Sequence, residues 1–167
     1  MFDELTKDDI QKMSEEVEHR RLIVRKEALE AVKEARAHGD LSENFEYKAA
    51  KQFKNQNESR IRYLEKMIRT AKIVEEEDLE NVVTLNTKVT VFMGEDDCEE
   101  EYLVVTPLRG NSLKNMISNK SPLGSAIYGK KAGERIEVQV DQNYSYFLQI
   151  IRVERIENPH ELEIKKF

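Results

Sequence analysis

From Ile10 to Ala71 the chain contains no proline, and small or apolar residues return every three, four or seven positions. On the N-terminal side of a single interruption they are Ile10, Met13, Val17, Val24, Ala28, Ala31 and Ala35, with Arg20 and Arg21 as the polar break. On the other side they are Tyr47, Ala50, Ile61, Leu64, Ile68 and Ala71, with Lys54 and Asn57 in the seam positions between. A 3.5-residue period sustained this long predicts a coiled-coil seam, not strands. The interruption is the run His38-Gly39-Asp40-Leu41-Ser42-Glu43-Asn44-Phe45-Glu46-Tyr47. Gly39 supplies the residue that leaves the first helix in a left-handed conformation. A link this short forces the two helices antiparallel. The expectation is a helical hairpin over residues 1–75 with its tip at 39–44, its first helix starting near Ile10 under a cap from Asp8 or Asp9.

After the acidic hinge Glu75-Glu76-Glu77-Asp78 the period changes to two. Val82–Met93, Tyr102–Val105, Arg135–Val140 and Tyr146–Val153 alternate and are rich in β-branched and aromatic residues, which predicts strands. Gly94-Glu95-Asp96-Asp97 reads as a hairpin turn. Pro122 sits at the tolerated first position of a short helix running to Tyr128, which Gly129 ends. The fold class is therefore α+β: an antiparallel α-helical hairpin, then a small antiparallel β-sheet domain over 76–154 carrying one short helix. Residues 155–167 form a C-terminal extension of unassigned role.

Charge narrows the function classes. Charged residues make up 36% of the chain and apolar ones 39%, which suits a fold with much solvated helix surface. The net charge of −6 is uneven. Residues 1–74 hold 16 Lys/Arg and 15 Asp/Glu, whereas 75–167 hold 11 and 18. Within 48–72 there are eight basic residues against Glu58 and Glu65, so a local phosphate contact along that helix is a candidate and a general nucleic-acid coat is not. Lys48, Lys51, Lys54 and Arg60 are the candidate RNA contacts, with pairing to Glu27, Glu30 and Glu34 as the plainer reading. Cys98 is the only cysteine, which fits a reducing cytoplasm. No apolar run approaches the length of a membrane span.

Asp40 and Glu43 lie where the chain reverses, poorly placed to build a core and well placed to reach into another molecule. Their three-residue spacing is also that of a capping box for the second helix. Two carboxylates bind Mg²⁺ only with ligands from elsewhere, since that ion is held by one or two carboxylates plus waters and phosphates. No Gly-rich phosphate loop and no nucleophile–histidine arrangement is recognisable, so free-standing catalysis has little support.

The run Ala35-Arg36-Ala37-His38-Gly39-Asp40-Leu41-Ser42-Glu43-Asn44, followed by Glu46-Tyr47-x-Ala49-Ala50-Lys51, resembles the tip signature of the bacterial GreA/GreB transcript-cleavage factors. A second stretch, Ile117-Ser118-x-x-Ser121-Pro122-Leu123-Gly124-x-Ala126-Ile127-x-Gly129-Lys130, is similar to the loop and short helix of their C-terminal domain. The likeness runs from about residue 5 to 154 and is nearer GreA than GreB. It differs at Phe45, where the family has a small residue, and over Thr106–Met116. It implies that the sheet domain is FKBP-like and docks on the rim of the secondary channel of bacterial RNA polymerase through Ser121 and Pro122. It further implies that the hairpin enters the channel and stimulates the polymerase's own cleavage of backtracked nascent RNA. Asp40 and Glu43 would help hold the polymerase's second catalytic Mg²⁺ and position the attacking water, with Ser42 assisting by local hydrogen bonding. On this reading the chain is a cytoplasmic monomer, an accessory factor and not an enzyme, with no cofactor of its own. The rival expectations are a channel-binding inhibitor of the same fold that does not promote cleavage, a prolyl isomerase or chaperone built on the FKBP-like domain, and a coiled-coil scaffold.

Overall fold

A computed structural model of the 167-residue chain describes residues 4–39 and 44–166. It divides into two compact units, one spanning Ile10–Ala71 and the other combining residues 4–9 with Lys72–Lys166.

The first unit is helical. Helix α1 (Lys7–His19) continues through a π-helical segment, Arg20–Val24, into α2 (Arg25–Ala37), and α3 (Phe45–Thr70) returns. The 26 residues of α3 give it a length of about 39 Å. Cross-pairs fix the antiparallel sense: Glu16 with Arg60, Arg20 with Asn57, Arg25 with Glu58 and Arg21 with Glu65. Buried positions are Met13, Val17, Ala28, Val32 and Ala35 on the outgoing side and Ile61, Leu64 and Met67 on the return. The seam departs from the expected one at a definable place. Beyond the π segment Ala28 and Ala35 are buried as expected, while Val32 is buried in place of Ala31.

The start of α1 also corrects an expectation. Thr6, not Asp8 or Asp9, is the cap: its Oγ1 accepts the Asp9 N–H (3.1 Å), and Asp9 Oδ2 accepts the Thr6 N–H (3.0 Å). The pair is a capping box with aspartate in its third position.

The second unit is built on a five-stranded sheet in the order β5-β4-β3-β7-β6. Its strands are β3 (Thr87–Met93), β4 (Cys98–Val105), β5 (Met116–Ser118), β6 (Arg135–Gln139) and β7 (Ser145–Arg155). β3 and β4 form the expected hairpin across Gly94–Asp97, with Met93 opposite Cys98. The sheet is mixed and not wholly antiparallel, because β5, which no periodic signal marked, runs parallel to β4. A separate parallel pair joins β1 (Glu4–Leu5) to β2 (Lys72–Ile73). Alternation works as expected on the central strands. Val89, Val91, Val104, Ile136, Val138, Leu148 and Ile150 face one core with Val83, and α4 (Pro122–Ile127) buries Ile127 against it. Gly129 follows at φ +77°, a conformation that stops the helix at little cost for glycine alone.

Candidate functional site

Asp40, Ser42 and Glu43 lie outside the described residues, so the site is built from what flanks them. α2 ends at Ala37, its C-cap His38 donates its N–H to Ala35 O, and Gly39 follows at φ +124°. α3 is capped by Asn44, which touches both helices: its Oδ1 accepts the Tyr47 N–H (3.0 Å) and its Nδ2 donates to Ala35 O (2.7 Å). One amide thereby serves an orphan donor at the start of α3 and a carbonyl near the end of α2. Asn44 is the N-cap of α3, and the capping reading of the Asp40–Glu43 spacing lies outside the described residues. Sequence reasoning missed the Asn44 cap because Asp-x-x-Glu and an isolated Asn before a helix are both ordinary cap signals.

Aromatic and basic side chains surround this cap. Arg36 lies 5.6 Å from the centroid of the Tyr47 ring, and Lys48 the same distance from that of Phe45. Phe45 is 80% exposed, so it presents an open ring beside the bend. The hydrogen bond from Arg36, its charge, and the charges of Lys51 and Lys54 hold the Tyr47 phenol below its ordinary value.

Along α3, Lys48 and Lys51 line an open groove of about 500 Å³ with Gln52, Asn55, Gln56 and Ser59. Lys54 stands half-buried nearby. Among the described residues none of these lysines pairs with a carboxylate, so the expected pairing with Glu27, Glu30 and Glu34 does not form. Arg60 does not belong to this strip. It is 4% exposed and turned into the hairpin, its Nε and Nη2 on the two Glu16 oxygens at 2.9 and 3.2 Å. A guanidinium held there is withdrawn from any strand passing over the lysines.

In the second unit Ser121 is the N-cap of α4. Its Oγ accepts the Gly124 N–H (3.0 Å) and donates to Ser118 O (2.7 Å), and Pro122 occupies the first turn. Gly124 is required by space: a Cβ there would stand 1.9 Å from Ser118 O. Leu123 and Ala126 pack against the core with the buried Ile127, as expected of non-contact residues. The Ser-Pro-Leu-Gly run is therefore a rigid corner whose serine and proline sit at the helix start. No helix among the described residues is long and apolar enough to cross a membrane, and no three His, Cys, Asp or Glu side chains among them gather as metal ligands.

Two family models match almost end to end: transcription elongation factor, N-terminal, over residues 4–73, and transcription elongation factor GreA/GreB, C-terminal, over 76–155. The chain is 42% identical over 137 residues to transcription elongation factor GreA of Caldanaerobacter subterraneus subsp. tengcongensis, covering 81% of this chain and 87% of that protein. It is 41% identical over 152 residues to the GreA of Clostridioides difficile, covering 90% and 95%. The crystal structure of GreA factor homolog 1 of Thermus thermophilus aligns with 26% identity and a TM-score of 0.42, over 92% of this chain and 99% of that one.

Proposed function

Since the chain belongs to the GreA/GreB family of transcription elongation factors, we propose that it acts in the cytoplasm on RNA polymerase as an accessory factor, inserting the bend of its helical hairpin into the secondary channel and stimulating cleavage of backtracked RNA. The observation that carries this reading is the position of Asp40 and Glu43, between the end of α2 at Ala37 and the start of α3 at Phe45. The cap hydrogen bond to the Tyr47 N–H at the start of α3 comes from Asn44. Two carboxylates three residues apart suit a Mg²⁺ ion whose other ligands come from the polymerase. That ion supplies charge to stabilise the attacking and leaving oxygens.

The chain's own residues do the rest. Asp40 and Glu43 would contribute ligands to that ion and position water, Ser42 would assist by local hydrogen bonding, and Asn44 ties the ends of α2 and α3 together. Lys48, Lys51 and Lys54 offer positive charge to the displaced RNA strand. Ser121 and Pro122, at the rigid start of α4, meet the channel rim.

The test uses polymerase artificially backtracked on a template with 3′-labelled RNA, with Mg²⁺ and either the wild-type chain or Asp40→Asn/Glu43→Gln. Release of short 3′ fragments is expected to accelerate with the wild type and to fall back toward the polymerase's own rate with the variant, while binding is retained. Binding by the wild type without faster cleavage would sink this reading and leave a channel-blocking inhibitor.

A further inference from the structure

Phe45 opens α3 with its ring 80% exposed. The local duties of the bend fall to other residues. Asn44 makes the cap bond, and the aromatic that meets α2 is Tyr47, whose ring lies 5.6 Å from the Arg36 guanidinium. A phenyl ring left in water forfeits the burial that ordinarily drives such a side chain into a core. One charged group stands at this ring among the described residues: Lys48 Nζ, 5.6 Å from its centroid. Residues three apart on a helix share a face, and a cation at that distance is drawn to the π-cloud. The two side chains together make a flat apolar surface edged by positive charge.

Lys48 is also the first lining residue of the groove along α3, which continues through Lys51, Gln52, Asn55, Gln56 and Ser59. Positions 45, 48, 52, 55 and 59 follow in steps of three and four, so the ring stands at the head of the same helix face. The described lining of the groove has no carboxylate and no apolar side chain. It offers ammonium groups, amides and a hydroxyl, and amides donate and accept as the edges of nucleobases do. An acidic protein segment would find no apolar floor behind the ring. Single-stranded RNA supplies what each part takes: a π-face for the ring, phosphates for the lysines and base edges for the amides.

We propose that Phe45 is a stacking platform for a nucleobase of the displaced RNA, a positioning residue that makes the response of this chain depend on the base presented to it. The inference rests on the preceding reading, in which the bend of the hairpin meets backtracked RNA. The stacked base holds the strand while the lysines take its phosphates, and a purine, with the larger π-face, is held more tightly than a pyrimidine.

The test measures the affinity of the full chain, carrying an N-terminal fluorophore, for polymerase backtracked on RNA whose displaced nucleotides are either all adenine or all abasic. Asp40→Asn/Glu43→Gln is present throughout, so that the RNA stays intact while binding is read. Three forms are compared, with Phe45 kept, Phe45→Tyr and Phe45→Ala. Their thermal midpoints are expected to agree, because the ring is exposed. On adenine RNA, Phe45→Ala is expected to bind about tenfold more weakly and Phe45→Tyr to bind as Phe45 does. On abasic RNA the three are expected to bind alike. An equal loss for Phe45→Ala on both RNAs would show the ring meeting protein and overturns the proposal, as does no loss on either. Cleavage is then read with Asp40 and Glu43 restored. Base-dependent binding without accelerated cleavage supports the stacking and overturns the cleavage reading alone. Accelerated cleavage without base-dependent binding overturns the stacking alone. A chain that does not bind backtracked polymerase overturns both.

Discussion

Asn44 carries more of the hairpin than its size suggests, because its two amide atoms act on different helices. Replacing it with alanine removes a cap and leaves Ala35 O without that donor, so Asn44→Ala is expected to lose about 1–2 kcal/mol of stability. Asn44→Asp keeps an oxygen for the Tyr47 N–H and loses only the donor, and is expected to cost less. Thermal unfolding followed by far-ultraviolet circular dichroism ranks the two; equal losses would show that the bridge to α2 is what counts. Arg60 teaches the converse lesson. Its charge made it look like part of a basic strip, but charge says nothing about which face a residue occupies. Its spacing from Ile61, Leu64 and Met67, all buried, is the signal that would have placed it inside.

At the scale of elements, the hairpin places a polar cluster inside an otherwise apolar seam. Glu16 accepts from both Arg60 and Arg20 (2.7 Å), and Arg20, the first residue of the π segment, also reaches Asn57 (3.1 Å). Such a layer satisfies itself in one register of the two helices and in no other. Glu16→Ala strands a buried guanidinium and is expected to cost about 3 kcal/mol, whereas Glu16→Met with Arg60→Leu recovers most of it by replacing the charges with packing. Urea unfolding of the full chain measures both. An unchanged midpoint for the single variant would mean that water already satisfies Arg60. In the second unit the short strands behave differently from the long ones. β3 and β7 announced themselves by alternation, whereas β5 and the β1–β2 pair are two or three residues each, too short for any period to register.

For the whole molecule the pH response is led by Asp8 and Glu16, the more buried of the two depressed carboxylates in each unit. Burial raises the affinity of Asp8 for its proton, but hydrogen bonds and charge from His160 and Arg109 outweigh it and hold the carboxyl below its ordinary 3.8. Burial pushes Glu16 up as well, and Arg60 and Arg20 together bring it below its ordinary 4.5. Carboxyls depressed in the folded state stabilise it fully above their unfolded values and lose that contribution as pH falls through the folded ones. The urea midpoint is therefore expected to hold from pH 7 to about 5 and to decline below about 4. Asp8→Asn/Glu16→Gln should start lower at neutral pH and decline less steeply. An equally steep decline would place the acid sensitivity on other groups.

The helices, their reversal at 38–44, the alternating strands and the short Pro122 helix were legible in the sequence because each is a local, periodic pattern of a few to a few dozen residues. The motif around Asp40 and Glu43 was equally legible, and so was the family. What only the tertiary structure decided depends on residues far apart in the chain. Asp9 meets Arg109 across 100 positions, His160 meets Asp8 across 152, and the tail finds Leu108. Such contacts leave no period behind. They form because a buried charge must find its counter-charge wherever the fold brings one, and that place is known only once the chain has closed on itself.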